Sequence, residues 1–141
     1  MMKPKDILLH REPFLFVDEI IEVRYLQYSK GKKYVRDDEF WVDAHFPNDP
    51  IFPGVLLLET MAQIGGLLLK SEGENRLNAF LSKVDNFKLI KKVVPGEEII
   101  IEGVFKDNIA DFTKVKTKAL VANKKVAEAE ITYVSRKTLG G

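Results

Sequence analysis

A histidine and a glutamate that could form an acid–base pair lie within one fifteen-residue segment, at His45 and Glu59. The residues between them include three prolines, at Pro47, Pro50 and Pro53, which exclude a helix interior and predict an ordered loop. Imidazole and carboxyl side chains are groups that commonly take and give protons near neutral pH. The pair therefore indicates general acid–base chemistry beside a rigid loop.

Gly54 follows the last proline and opens an apolar run in which Glu59 falls in the second helical turn. Gln63 lies four residues beyond Glu59, on the same helix face. The first turn of a helix carries unpaired backbone N–H groups and the positive end of the helix dipole, which can polarise a carbonyl oxygen. Glycine at this point lets a substrate approach the backbone closely. A base, an acid and a carbonyl-polarising donor would thus share one segment.

Each of these residues also has a structural interpretation. A glutamate among leucines can be a core residue neutralised by a partner, or can face solvent along a narrow polar stripe. A lone histidine on an apolar segment is more often a packed structural residue than a catalyst. The combination of His45, the proline loop, Gly54 and Glu59 favours the catalytic interpretation.

One long apolar helix is predicted to carry the acidic residue, from Gly54 to about Ser71, with Gly73 as its left-handed stop. The run is shorter than the roughly 20 residues of a membrane span, and it contains Glu59 and Gln63. It is therefore interpreted as the buried helix of a protein without a membrane span.

Strands are predicted on both sides of this helix. Residues 14–24 and 33–36 are predicted to be extended, separated by a turn at residues 29–32. From residue 77 onward the apolar residues recur with a period of two, with breaks at residues 95–96, 107–108 and 123–124. This pattern predicts four strands in an antiparallel meander.

The last two strands carry complementary charges. Lys116 and Lys118 are expected to share a face with Glu130 and Glu128. That register predicts a three-residue loop at residues 122–124, with Asn123 or Lys124 at positive φ. A sheet of this kind is expected to curl around the helix in an α+β fold, and its uncovered edge favours a dimer.

The composition limits the classes of function. The chain has 141 residues, 45% of them apolar, so it is expected to form one globular domain over residues 1–141. Its 22 basic and 21 acidic side chains nearly balance, so it is not expected to bind nucleic acid through bulk charge. The absence of cysteine excludes a disulfide scaffold and Cys-ligated zinc, and two histidines make a His-rich metal site improbable. The apolar run at residues 7–9 is too short for a signal peptide. We expect a cytoplasmic protein.

The run HFPNDPIFPGVLLLETMAQ at residues 45–63 resembles the active-site signature of bacterial (3R)-hydroxyacyl-[acyl-carrier-protein] dehydratases of the FabZ type. The segments LHREPFLFVD at residues 9–18, VDNFK at 84–88 and VPG at 94–96 match the same family in order and spacing. The resemblance covers most of the chain. It implies a hot-dog fold, in which an antiparallel sheet wraps around one long central helix.

The resemblance also implies roles for individual residues. His45 would be the catalytic base and Glu59 its acidic partner, meeting across a dimer interface, with the Gly54 N–H polarising the thioester carbonyl. Val55 and Gln63 would complete the oxyanion and substrate-binding site. The reaction implied is dehydration of (3R)-hydroxyacyl-ACP to trans-2-enoyl-ACP without metal or cofactor, and glutamate at position 59 favours dehydration without isomerisation.

Two positions depart from the family pattern, which has glycine before the histidine and in the turn after it. Here these positions are Ala44 and Asn48. Asparagine tolerates the left-handed backbone region, so Asn48 is expected to keep the turn, whereas Ala44 adds a methyl group beside the site. His10 matches an N-terminal His-Arg pair of the family and is interpreted as a capping or buttressing residue.

The implied partner is an acyl carrier protein, which is acidic and would need a local basic patch. The candidate residues are Lys88, Lys91, Lys92, Arg136 and Lys137. The resemblance further suggests a trimer of dimers. Two alternatives remain open: another hot-dog activity such as thioester hydrolysis, and a non-catalytic acyl-binding module. Phe80 and Phe87 could line an acyl tunnel or serve as packing.

Overall fold

A computed structural model describes residues 2–71 and 79–135. The elements in chain order are α1 (Pro4–Ile7), β1 (Glu19–Arg24), β2 (Tyr28–Tyr34), α2 (Gly54–Gly65) with a 3₁₀ turn (Gly66–Leu69), β3 (Ala79–Leu89), β4 (Glu98–Ile109), β5 (Phe112–Val121) and β6 (Lys124–Ser135). The strands form one antiparallel sheet in the order β1-β2-β4-β5-β6-β3, and α2 packs against it. The predicted α+β arrangement of one sheet around one helix is confirmed.

The predicted meander holds for β4, β5 and β6 only. β3 does not pair with β4, which follows it in the chain, but lies at the sheet edge beside β6. The connection at residues 90–97 is long enough to cross the sheet, and the N–H groups of Ile90 and Lys91 donate to the Val126 carbonyl on the way. A period of two identifies strands but not their partners, so the sequence pattern could not show this crossing.

The turn predicted at residues 29–32 is wrong, because these residues lie inside β2 and the chain turns at residues 25–27 instead. Gly31 suits this strand because α2 and the neighbouring strand β1 both come very close to its Cα atom. A Cβ atom there would lie 3.0 Å from the Glu19 carbonyl oxygen and 3.0 Å from Ile64 Cγ1. The glycine permits packing and does not end the strand.

The helix begins at Gly54 as predicted, but its α-helical part ends at Gly65 and a 3₁₀ turn replaces the expected continuation to Ser71. Two consecutive glycines, Gly65 and Gly66, favour α-helix least of all residues except proline. A Cβ atom at Gly65 would lie 2.7 Å from Thr117 Cγ2, so the helix touches the sheet here. The predicted stop at Gly73 lies outside the described residues.

The β5–β6 register confirms the predicted charge pairing, with Lys116 opposite Glu130 and Lys118 opposite Glu128. The loop, however, has two residues and not three. Ala122 and Asn123 both have positive φ, 50° and 65°, as a tight hairpin turn of this handedness requires.

A one-residue bulge near the loop brings the lysines and glutamates onto the same face of the sheet. A third loop residue was expected to produce this alignment. The register shifts between Ala119 and Leu120 of β5. One other predicted break is displaced: the break at residues 107–108 falls inside β4, and the chain turns at residues 110–111.

The core lies between α2 and the inner face of the sheet. Its helical side is formed by Leu57, Met61 and Ile64, each at most 1% exposed. Ile101 on β4 and Ile131 on β6 contribute the opposite side and are fully buried. Within residues 2–71 and 79–135, no helix is long and apolar enough to cross a membrane.

Candidate active site

Glu59 lies in the second turn of α2 on a partly exposed face, with 20% of its side chain exposed. Its Oε2 atom accepts a hydrogen bond of 2.8 Å from Gln63 Nε2, one turn along the helix. His10 Nε2 lies 3.4 Å from the same oxygen. The carboxylate is therefore hydrogen-bonded by Gln63 and has the His10 ring nitrogen near the same oxygen.

Gln63 fixes this arrangement because its amide is bonded on every side. Oε1 accepts from the Phe16 backbone N–H at 2.9 Å, and Nε2 donates to the Phe14 carbonyl at 2.9 Å as well as to Glu59. The side chain thus ties the N-terminal segment to the helix. Only 2% of Gln63 is exposed, so these bonds are shielded from water.

A cavity of about 550 Å³ opens beside Glu59. Its polar groups come from His10, Glu59, Gln63 and Tyr133, and the rest of its lining is mostly apolar, including Phe80. A pocket of this size with a few converging polar groups has the usual form of a small-molecule site. Phe80 lines this cavity, whereas Phe87 packs against the core.

Tyr133 lines this cavity and is buried. Its hydroxyl donates a hydrogen bond of 2.6 Å to the Ala62 carbonyl. Burial raises the pKa of Tyr133 well above its usual value, and the nearby negative charge of Glu59 acts in the same direction. Tyr133 therefore remains a neutral donor to the helix backbone and is not free to exchange protons near neutral pH.

His45 lies in the loop before α2, and its ring orientation is fixed. Nδ1 lies 2.9 Å from the Ile51 carbonyl oxygen. Because a carbonyl can only accept, this contact places the ring proton on Nδ1 and leaves Nε2 with a free lone pair. A neutral imidazole in this state can act as a base through Nε2.

The loop that carries His45 is ordered by backbone hydrogen bonds within the loop and to the segment after β3, as predicted from the prolines. The N–H of Ile51 donates to the His45 carbonyl, and the N–H of Phe52 donates to the Val93 carbonyl. Asn48 has a φ of 68°, which confirms the expected left-handed residue in the turn. Ala44 is exposed on this chain, so its methyl group contacts solvent here.

The beginning of α2 presents free backbone donors. Pro53 is the N-cap and provides no side-chain bond, and its carbonyl accepts from Leu56 and Leu57. If Gly54 carried a Cβ atom, the nearest atom to it would be Leu89 Cδ2, at 3.6 Å, which is an ordinary contact distance. Val55 is 73% exposed. The N–H groups of Gly54 and Val55 have no acceptor within the helix, whereas the N–H of Leu56 already donates to the Pro53 carbonyl.

A buried ion pair lies under the same loop. Lys33 Nζ is 3.0 Å from Glu39 Oε1, and their side chains are 2% and 5% exposed. Glu39 also accepts from Trp41 Nε1 at 3.2 Å, and Lys33 lies 5.5 Å from the centres of the Phe16 and Phe52 rings. This cluster anchors the loop segment before His45 to β2.

The residues predicted from the sequence are only partly brought together within one chain. Glu59 and Gln63 share the cavity, whereas neither His45 nor Gly54 lines it. Sequence reasoning missed two members of the cavity's polar lining, the contact of His10 with Glu59 and the buried hydroxyl of Tyr133. The His-Arg pair at residues 10–11 is the only feature of the sequence that points to His10. For Tyr133 the corresponding feature is its place among the alternate residues of β6 that face inward. In the part of the chain that the structure describes, no cluster of three potential metal ligands occurs.

Comparison with known proteins gives a consistent result. Residues 8–130 match the FabA-like domain family. A 3-hydroxyacyl-[acyl-carrier-protein] dehydratase FabZ of Bacillus subtilis is 38% identical over 131 residues, covering 92% of both chains. The protein of the same name from Protochlamydia amoebophila is 39% identical, covering 92% of this chain and 84% of the relative.

Solved structures of lower identity share the fold. One is the dehydratase heterocomplex ApeI:P from Xenorhabdus doucetiae, with a TM-score of 0.80 and 13% identity over 96% of this chain and 91% of that one. Another is Cj0977, a sigma28-regulated virulence protein from Campylobacter jejuni, with a TM-score of 0.71 and 15% identity over 94% and 85% of the two chains. At these identities the likeness concerns the fold alone.

Proposed function

Because the chain belongs to the FabA-like family and is a hot-dog 3-hydroxyacyl-[acyl-carrier-protein] dehydratase of the FabZ type, we propose that His45 and Glu59 perform the dehydration between them. The substrate is a (3R)-3-hydroxyacyl thioester and the product a trans-2-enoyl thioester, in fatty-acid or related acyl-chain synthesis. The observation that carries the assignment of roles is the contact of 2.9 Å between His45 Nδ1 and the Ile51 carbonyl oxygen, which makes Nε2 the basic nitrogen of the neutral ring.

In the proposed reaction, His45 Nε2 removes the proton from the carbon next to the thioester carbonyl. The electron pair forms the new carbon–carbon double bond while the bond from the neighbouring carbon to its hydroxyl breaks. Glu59 gives its proton to that hydroxyl, which leaves as water. A proton passing from His45 back to Glu59 restores both groups. All of these steps use side chains of the protein.

Negative charge accumulates on the thioester oxygen as the first proton leaves. In the proposed mechanism the N–H groups of Gly54 and Val55, with the positive end of α2, stabilise this oxygen, and their position in the first turn of the helix supports that role. Removing a single donor of this kind typically lowers kcat by about 100- to 1,000-fold. Gln63 contributes by holding the carboxyl of Glu59 in place.

We propose that the complete site forms between two subunits. The cavity beside Glu59 is not lined by His45, so a second chain would supply the histidine. β3 lies at an edge of the sheet, and exposed apolar side chains accompany it at Leu81, Leu89 and Ile90, each between 44% and 54% exposed. These features support a homodimer joined near β3, and a trimer of dimers is proposed beyond it.

The acyl carrier protein is proposed to dock beside the helix start. Lys88, Lys91 and Lys92 are exposed at and just after the end of β3, and Leu89 between them lies against Gly54. A basic group therefore adjoins the proposed oxyanion donors, where the thioester must lie. Arg136 and Lys137 lie outside the described residues. The cytoplasm is the proposed compartment.

The first experiment measures hydration of a crotonyl thioester by its absorbance, alongside release of free thiol. The wild type should hydrate the thioester and release no thiol, and His45→Ala and Glu59→Gln should each lower the rate by at least about 100-fold. Thiol release without hydration would establish a thioesterase instead. Binding of acyl ligand with neither reaction would establish a non-catalytic module.

A second experiment tests the docking surface. Reversing the charge of Lys91 and Lys92 together should raise KM for the acyl-carrier substrate at low salt. Exposed charges at the edge of a docking surface assist association, and each contributes about 0.5–1 kcal/mol. Turnover of a small N-acetylcysteamine thioester should stay nearly unchanged. Equal loss on both substrates would mean that the lysines support the fold, and no loss on either would place docking elsewhere.

A further inference from the structure

The two oxygens of Glu59 have different surroundings. Oε2 accepts from Gln63 Nε2 and lies 3.4 Å from His10 Nε2, whereas Oε1 has no polar partner among the described residues. A contact of 3.4 Å is long for a hydrogen bond, but such contacts in an unliganded site often shorten when substrate binds. The asymmetry means that only one oxygen of the carboxyl is free to meet a substrate.

His10 is held in a defined orientation from the other side. Arg11 Nη1 donates to the carbonyls of Leu8 and His10, at 3.0 Å and 2.7 Å, which fixes the main chain around the ring. The ring stacks on Phe14 with a centroid distance of 6.5 Å. Nε2 faces Glu59, whereas Nδ1 is buried and has no hydrogen-bond partner in residues 2–71 and 79–135.

These surroundings select one form of the ring. A lone pair on Nε2 would repel the carboxylate oxygen that it faces, so the proton belongs on Nε2. A second proton on Nδ1 would leave a buried donor of a charged ring without an acceptor, which is costly. The neutral imidazole with its proton on Nε2 satisfies both conditions.

We propose that His10 is a positioning residue for Glu59, a role that rests on the proposed function of that carboxyl as the acid. With Gln63, it presents two N–H donors to Oε2. An oxygen that already faces two donors cannot carry a proton without a clash between hydrogens, so the acid proton resides on Oε1. His10 therefore determines which oxygen gives its proton to the leaving hydroxyl.

Two substitutions at one position separate this role from a structural one. His10→Leu removes the donor and keeps a similar volume, and should lower kcat by about 10- to 100-fold with KM within about twofold, as expected for a displaced catalytic group. His10→Gln places an amide N–H near the position of Nε2, and should keep kcat within about threefold of the wild type. Thermal unfolding of both variants provides the control for folding.

A measurement without turnover tests the ring directly. The chain has only two histidines, so His45→Ala leaves His10 as the single imidazole. Its ¹⁵N chemical shifts should show the proton on Nε2 and a lone pair on Nδ1. A proton on Nδ1 would overturn the proposal.

The kinetic outcomes are equally decisive. Unchanged kcat in His10→Leu, or equal loss in His10→Leu and His10→Gln, would overturn the positioning role. If the proposed function itself fails, Glu59→Gln will keep the turnover of the wild type, whereas the ¹⁵N measurement still reports the form of His10. The two failures are therefore distinguishable.

Discussion

At the scale of single residues, Gln63 shows how one side chain can serve both folding and chemistry. Its amide joins α2 to the backbone at Phe14 and Phe16, and its remaining N–H reaches Glu59. The same bonds that hold the N-terminal segment on the helix therefore also aim the carboxyl. A change at this position should affect stability and turnover together.

Replacing Gln63 with Leu tests this coupling. The Phe16 N–H is buried and would lose its acceptor, which costs about 1–3 kcal/mol, and the bond to the Phe14 carbonyl is lost as well. We expect the free energy of unfolding, measured in urea, to fall by about 2–4 kcal/mol and kcat to fall in parallel. A loss below about 0.5 kcal/mol would contradict the assignment of these bonds.

At the residue level the sequence could predict only local features, such as the start of α2 at Gly54 and the left-handed turn residue Asn48. His45, Gly54 and Glu59 share one short segment, so their order around the loop and helix follows from prolines and helical spacing. The contact between His10 and Glu59 spans 49 residues of chain, and no local pattern encodes such a distance. For that reason the sequence alone predicts only a capping or buttressing role for His10.

At the scale of elements, the strand β2 and the loop that follows it are joined by buried charge. The pair of Lys33 and Glu39 lies among aromatic rings, with the Trp41 indole as a further donor. The sequence predicted a turn near this lysine because glycine and charged residues usually mark turns. In the structure, Gly31 allows α2 to pack closely against β2, and the Lys33 side chain is buried. Both features depend on tertiary packing.

Lys33→Met is the corresponding prediction. Removing one partner of a buried pair leaves the other charge uncompensated, so the free energy of unfolding should fall by about 3–5 kcal/mol. Because the pair anchors the loop before His45, kcat should fall too. Lys30→Met on the same strand is the matched control and should change stability by less than about 0.5 kcal/mol, and Lys33→Met with Glu39→Leu should recover most of the loss. An equal loss of stability in Lys33→Met and Lys30→Met would contradict the anchoring role of the Lys33–Glu39 pair.

At the scale of the whole molecule, the sheet has two edges, β1 and β3, and the proposed acid and base lie apart in one chain. An eleven-residue edge strand with unpaired backbone groups favours association with a second chain. The sequence predicted a dimer from this general argument. The crossing that places β3 at the edge became visible only in the structure.

Mixing inactive subunits tests the shared site. Equal amounts of His45→Ala and Glu59→Ala chains that exchange freely should regain roughly a quarter of wild-type activity per site. About half of the dimers would then be mixed, and each mixed dimer contains one intact pair and one doubly deficient pair. Sedimentation at micromolar concentration should show no monomer. Absence of recovery despite demonstrated subunit exchange would place both residues in the same chain's site.

Two glycines, Gly65 on α2 and Gly103 on β4, face each other where the helix meets the sheet. A Cβ at Gly103 would lie 2.9 Å from the Gly65 Cα and 2.8 Å from Ser29 Oγ, so the two backbones touch. In a library of every single substitution selected for growth, positions 65 and 103 should therefore be depleted as strongly as His45 and Glu59. Selecting the same library for protein abundance should still deplete the two glycines and spare the acid–base pair. The intolerance at these two positions would then record the distance between two backbones and not the chemistry.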